Sequence, residues 1–398
     1  MNGGTTSIQI ENIHEPITEH KFLGPFRKIL IVTGLDGTSV ALFQSNPTYF
    51  RRALITRILA IIVIILVFFR CGMIFQAADK SHVMSFQWAE SNMFAFSGIH
   101  TIFCAFCVYG WTKNEFIPKH LKRLETVRIL RLKPKTSLDE YSRTHKKAFV
   151  WAAMWFLCIM AHSIASAIAQ RVILGGNKVT PLLYAVMPFI TFLVCFIVTT
   201  CVILYVLVNI SMSREIKYFN EELEEAMSKK ELNFKELMLK FDHRQVELIG
   251  LVREANESLG SYAASAPFFL FYGLVNAIYL TSFSDVLPTI AFIIILINLF
   301  AIIAIIFFTL RPPSSVQSQI EDTSRILMSH EGFDKDPELF EIYHIINDRS
   351  LKTNTRIRVM GAIPICQSSQ NFAFLVVPSL GSVLGLIRKV MLANGVPV

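Results

Sequence analysis

Residues 286–310 read VLPTIAFIIILINLFAIIAIIFFTL, and no charged side chain interrupts them. As a helix this stretch would extend about 37 Å, enough to cross a hydrocarbon core about 30 Å thick. In a soluble core, apolar residues recur at the helical or strand period; here they form one unbroken block, which reads as a bilayer span. Six further blocks stand beside it, at about 53–77, 86–111, 148–173, 181–209, 259–283 and 364–390. The expectation is an all-α membrane protein with seven transmembrane helices. The block at 364–390 is the most polar, because Gln367, Ser368, Ser369, Gln370 and Asn371 open it.

The composition agrees. The 398 residues are 53% hydrophobic and 17% charged, with 33 Phe, whereas soluble domains average about 25% charged residues. The net charge of +8 does not point to nucleic acid. Its basic residues sit in short segments between apolar blocks, where they set topology and meet anionic lipid. Membrane lipids are therefore expected partners, and nucleic acid is not. All seven cysteines fall in apolar blocks, so no extracellular disulfide framework is implied. His100, Cys104 and Cys107 share a helical face, but no fourth ligand lies nearby in sequence and no metal is expected. No zinc-protease pair, nucleophile elbow or phosphate-binding glycine loop occurs. The chain is not expected to be an enzyme or to carry a cofactor. Met1 to Ile10 has no apolar run, so the first span is expected to serve as the targeting signal.

Topology follows from the basic residues. Of 38 Lys and Arg, 31 fall in the N-terminal segment and in the connections between spans two and three, four and five, and six and seven. Only Lys80, Lys178, Arg388 and Lys389 fall on the opposite side, while Arg57, Arg70 and Arg171 lie within or at the ends of spans. The positive-inside rule then places the N-terminus in the cytosol and the C-terminus outside, opposite to a G-protein-coupled receptor. The sequons at Asn209 and Asn256 fall on the cytosolic side and are expected to be unused. The connections on the outside are very short, so an external ligand must enter among the helices themselves.

The cytosolic connections carry helical patterns of their own. Ile216, Phe219, Leu223 and Met227 recur at helical spacing, as do Leu237, Phe241, Leu248 and Val252. Span four is expected to continue into the cytosol, turn near 228–233, and return as a helix running into span five. After Pro312 and Pro313, one helix is expected around 320–328. A second is expected after Asp336, with Asp336 as N-cap, Pro337 at the first helical position and Phe340, Tyr343 and Ile346 on one face. The organisation read from the sequence is a cytosolic segment 1–52, then a six-helix bundle 53–310 with a cytosolic hairpin 213–258. A cytosolic helical linker 311–363 and a last helix with a short external tail, 364–398, complete it. The extended helices would form a cytosolic anchor subdomain.

The stretch 245–260, QVELIGLVREANESLG, followed by an apolar span ending in Tyr279 and Leu280, resembles the insect gustatory and odorant receptor superfamily. It is closest to the gustatory-receptor-like branch that includes the nematode serpentine receptor class r proteins. The N-in, seven-span architecture resembles that superfamily over nearly the whole chain. The family's last span usually carries Thr-Tyr, five apolar residues and Gln-Phe. Here 378–389 reads PSLGSVLGLIRK, so that signature is absent. The resemblance implies a chemoreceptor of the plasma membrane: a ligand-gated ion channel subunit, in a homo- or hetero-tetramer whose last helices surround a pore. A metabotropic serpentine receptor would need an outside N-terminus, and neither Asp-Arg-Tyr after span three nor Asn-Pro-x-x-Tyr in span seven occurs. A transporter or scaffold is the third reading, but no internal repeat is visible between the two halves of the chain.

Two groups of candidate residues follow. Gln367, Ser368, Gln370, Asn371, Ser379 and Ser382 would line a water-filled pore or vestibule, since polar groups facing lipid are costly. Alternatively, the first of them lie at interface depth. Gly381 and Gly385 form a small-xxx-small pair for close helix packing. Trp88, Asn92, His162, Ser166, Gln170, Tyr184 and Phe292, in the outer halves of spans two, three, four and six, offer a mostly apolar pocket with a few polar fixtures for a small molecule. Each of them also suits ordinary helix packing. Epitope tags test the topology directly. An N-terminal tag should be reached by antibody only after permeabilisation and a C-terminal tag on intact cells; the reverse result overturns the assignment.

Overall fold

A backbone inside hydrocarbon has no water to bond, so each span must satisfy its own polar groups. Helices do this, and the computed structural model is built almost wholly from them. It describes residues 17–35, 47–79, 82–133, 140–173, 181–329, 336–352, 358–359 and 363–395. Among the described residues, seven helices are long and apolar enough to cross a membrane. They are α3 (Pro47–Asp79), α4 (Phe86–Lys113), α6 (Glu140–Ile173), α7 (Pro181–Ser228), α8 (Lys235–Thr281), α9 (Thr289–Met328) and α11 (Gln367–Ala393). The shorter helices are α1 (Glu19–Leu23), α2 (Phe26–Val32), α5 (Phe116–Ile129) and α10 (Pro337–Lys352). A two-residue ladder, β1 (Arg358–Val359) antiparallel to β2 (Ile363–Pro364), precedes α11.

The helix α7 is the axis of the bundle, with 83% of its apolar stretch buried against neighbours. At the other extreme, α11 buries 17% of its own and leans chiefly on α8. Glycine makes that contact possible. A Cβ on Gly381 would lie 2.8 Å from Ile278 Cβ and 2.9 Å from the Val275 carbonyl, and one on Gly385 would lie 3.1 Å from Ser282 Cβ. The small-residue pair thus packs one helix of the chain on another.

Three helices outrun the bilayer: α7 has 48 residues, α8 has 47 and α9 has 40. Their extensions project from the same end of the bundle and pack with α1, α2, α5 and α10. The expected turn between α7 and α8 is present as one 3-10 turn, Glu231–Asn233, entered by Lys230 at φ 59. Ile216, Phe219, Leu223, Phe241, Leu248 and Val252 are buried, with the Phe219 and Phe241 rings edge-on at 5.6 Å.

Polar pairs lock these extensions together. Arg131 and Glu215 form a buried ion pair, and Arg244 donates to Glu222 at 2.6 Å with both groups buried. Burial pushes the Arg244 guanidinium down, and Glu222 opposes that shift. Gln245 donates to the Ile346 carbonyl at 3.0 Å, Ser324 to Asn347 at 2.6 Å, and Arg349 to Asp242 at 2.7 Å. At the exposed rim, Lys133 and Lys229 hold the Glu225 carboxyl down to about 2.

Two expectations are corrected here. The chain does not leave the helix at Pro312 and Pro313: α9 runs through both to Met328. The prolines remove two backbone donors, but Pro313, Val316 and Ile320 are buried, and packing holds the segment helical. In α10, Asp336 caps as expected, accepting from the Glu338 amide at 3.0 Å. The buried stripe, however, is Leu339, Ile342, Ile346, Asn347 and Ser350. Phe340 lies off it, because the helix presents a face turned about one residue from the aromatic one.

Two outcomes test this packing. Gly381→Val should lower thermal stability in detergent by about 1–3 kcal/mol through overpacking. Gly72→Ala, with no atom within 4 Å of the added Cβ, should leave stability unchanged or slightly raised. The second concerns His120 on α5, which is buried with Nε2 2.9 Å from Ser211 Oγ. That hydroxyl donates to the Val208 carbonyl at 2.7 Å, so the imidazole is the donor to it. Burial lowers the His120 pKa to about 4, against about 6.5 in an unfolded chain. The unfolded state therefore binds a proton first as pH falls. Stability should be full above pH 6.5 and decline toward pH 4, by about 3 kcal/mol at the limit. His120→Gln should flatten that segment of a melting-temperature profile against pH.

Candidate functional site

Six helices converge on one cavity inside the membrane-spanning bundle. Arg70 of α3, Phe94 and His100 of α4, Trp155 of α6, Thr191 and Val194 of α7, Phe269 and Gly273 of α8, and Ile302 of α9 line it. Its volume is about 80 Å³ and its wall is mostly apolar. The polar groups are few: the His100 ring stacks on Phe269 at 5.0 Å and keeps Nε2 without a partner. Arg70 is 4% exposed, lies over the Phe94 ring at 5.2 Å, and has an unpartnered Nε. Phe94 also meets the His162 ring at 5.3 Å, and His162 Nε2 stands 3.5 Å from the buried Glu90 carboxylate. Among the described residues no group of three His, Cys, Asp or Glu side chains could hold a metal ion.

Among the described residues, none of those chosen for a pocket from sequence lines this cavity. His162 is one ring away, paired with Glu90. Trp88 and Asn92 occupy the first turns of α4, where Asn92 donates back to the Trp88 carbonyl at 2.8 Å. Trp88 packs against a small cluster that includes Tyr279, Phe283 and Ile295. Phe292 is half-buried in the first turn of α9. The side chains of Ser166, Gln170 and Tyr184 lie outside the described residues. Sequence reasoning missed Arg70 and Glu90, although a lone charge inside a span is itself a signal, because such a group needs a partner or a cavity.

On α11 the expected polar residues divide. Ser368, Asn371, Ser379 and Ser382 are exposed, and spacings of three and four set them on one face with Leu375 and Leu386. That face is turned away from Gly381 and Gly385. Ser379 and Ser382 bond the carbonyls of Leu375 and Pro378 at 2.8 and 3.1 Å. Gln370 departs from the stripe, since its amide donates to the Leu310 carbonyl of α9 at 2.6 Å. A sequence reading by polarity alone could not separate it from its neighbours. The Gln367 side chain lies outside the described residues. Arg388 does not face outward: it is buried over the Phe283 ring at 3.9 Å and donates to the Ser282 carbonyl at 2.6 Å.

At the projecting end, a cleft of about 730 Å³ between α6, α7 and α9 combines Trp151, Phe307 and Phe308 with Arg214, Lys217 and Arg311. Aromatic rings beside cations at this depth suit an anionic lipid headgroup.

The arrangement is that of a multi-pass membrane protein with the insect odorant receptor fold. The olfactory receptor OR5 of Machilis hrabei, in complex with eugenol, superposes with a TM-score of 0.62 over 91% of this chain and 97% of its own, at 10% identity. A second structure of that receptor gives 0.63 over 90% and 96%, at 11% identity. The fold resemblance read from 245–280 thus holds in three dimensions. By sequence, the chain belongs to the family described as Caenorhabditis protein of unknown function, DUF267, whose profile matches residues 22–381. No curated protein matches it.

Proposed function

We propose that this chain is a chemosensory receptor subunit of gustatory-receptor-like type, acting as a ligand-gated ion channel in the plasma membrane. Its N-terminus and projecting helices face the cytosol. A small molecule binds within the bundle, and four copies, alike or mixed, join through the projecting helices with α11 around a central pore. The observation that carries this reading is the stripe Ser368, Asn371, Ser379 and Ser382. A helix that buries only 17% of its apolar stretch in its own chain would otherwise offer Ser368 and Asn371 to lipid, on the same face as Ser379 and Ser382, which bond carbonyls of their own helix. Water in a pore between copies satisfies them at no such cost.

The likeness to a receptor structure supports the reading at the level of fold. The cavity supports it chemically, being apolar with a few polar fixtures, as small-molecule sites are. Gating follows if ligand binds one arrangement of the bundle more tightly than another. Pro378 interrupts the hydrogen-bond ladder of α11 between the polar stripe's two halves, since a proline leaves the carbonyl four residues earlier without its helical donor. That makes it the natural point for α11 to bend.

Recordings from bilayers holding the purified full chain test this. Odorant-sized compounds should evoke currents, and methanethiosulfonate reagents should block Ser379→Cys and Ser382→Cys but not Leu380→Cys or Val383→Cys. A silent bilayer, or equal modification of all four cysteines, overturns the channel assignment and favours a metabotropic receptor.

A further inference from the structure

We propose that the bundle cavity is built for a small organic acid, whose carboxylate pairs with Arg70 while its body lies against the aromatic and aliphatic wall. This deepens the receptor reading above and rests on it only for the consequence of binding, not for the binding itself.

Arg70 carries an uncompensated charge. A guanidinium remains protonated in proteins, and an unpaired ion at membrane depth is costly enough that such residues mark ligand or ion sites. Arg70 is 4% exposed and lines the cavity. Among the described residues it forms no ion pair; the Phe94 ring lies 5.2 Å from the guanidinium carbon, and the Cys71 and Cys195 thiols are its other neighbours. The buried carboxylate of Glu90 forms no ion pair with Arg70 and stands 3.5 Å from His162 Nε2. His100 Nε2, also buried and unpartnered, lines the same space. One permanent cation, the unpartnered nitrogens of His100 and Trp155, and the Ser97, Thr191 and Cys195 side chains thus meet in a space otherwise walled by apolar groups.

The chemistry of the occupant follows from that donor set. The planar fork of an arginine matches the two oxygens of a carboxylate. A phosphate dianion would bring a second negative charge that the one guanidinium of the wall leaves unpaired. A volume of about 80 Å³ corresponds to about five water-sized spheres at about 15 Å³ each. The acid is therefore compact, with a body of a few carbons or a single ring. Its apolar part would replace water against Phe94, Trp155, Phe269 and Ile302.

The test uses the full chain in phosphatidylcholine nanodiscs, titrated with butyrate and benzoate, and with butanamide and benzamide as neutral matches. Intrinsic tryptophan fluorescence reports binding, because Trp155 lines the cavity, and a thermal-shift series provides a second readout. Both acids should bind saturably, at least tenfold more tightly than their amides. Arg70→Gln should erase that preference and Arg70→Lys should keep most of it. Gly273→Leu, which adds a side chain where open space surrounds the Cβ, should abolish binding of acid and amide while leaving Arg70 in place. Equal affinity for acid and amide, an Arg70→Gln protein that still prefers acids, or no saturable binding of either acid at millimolar concentration overturns the proposal. Binding without current would retire the channel reading and leave the acid site intact. Currents gated by neutral compounds alone would retire the acid site and leave the receptor.

Discussion

A hydrocarbon core about 30 Å thick takes about twenty helical residues, yet α7, α8 and α9 run to 48, 47 and 40. Residues 210–228 of α7, 235–258 of α8 and 311–328 of α9 lie beyond the apolar blocks, in a polar phase where a lone helix gains little without packing. Everything at the projecting end answers to this excess length. The extensions change from uniformly apolar to striped, and their apolar stripes close on one another around Phe219 and Phe241. Buried ion pairs and side-chain amides then set their register, with Arg244 and Glu222 between α8 and α7 and Gln245 reaching α10. A buried pair of this kind adds little net stability, because desolvation offsets attraction. Its effect is on alignment, since any slip strands a charge.

The same logic of unpaired polar groups links the other two regions. In the membrane part, most polar side chains close on their own helix, as Asn92, Thr200 and Asn276 do on the carbonyl four residues back. The exceptions are the informative ones. Arg388 is clasped by the α8–α9 connection, Arg70 faces a cavity, and Ser368 and Asn371 of α11 face away from their own chain. Protein contacts satisfy the first; a bound anion is the proposed partner of the second and pore water that of the third.

The fold was largely legible in the sequence, and the sites were not. Block length and the absence of charge identify a span without knowledge of its neighbours, which is why all seven could be read. The turn between α7 and α8 and the Asp336 cap were legible for the same reason, because they depend on local chemistry. The course of α9 through Pro312 and Pro313 was not, since packing by Val316 and Ile320 overrides the local signal. Polar residues in α11 could be recognised as unusual, but Gln370 and Ser379 look alike until the rotation of the helix about Gly381 is known. Arg70 and Glu90 sat in plain view as charges within spans, yet only the packing reveals that Glu90 lies beside an imidazole and Arg70 lines a cavity.

Composition and pattern by themselves determined the solvent, the number of crossings and the places where helices turn, because transfer free energy and backbone bonding are summed residue by residue along a chain. Which side chains meet was decided in three dimensions. Contacts such as Gly381 on Ile278, His162 on Glu90, or the six helices around Arg70 join residues far apart in sequence. Their formation depends on the rotation and depth of each helix, quantities that one-dimensional periodicity bounds to a face but does not place against a particular neighbour.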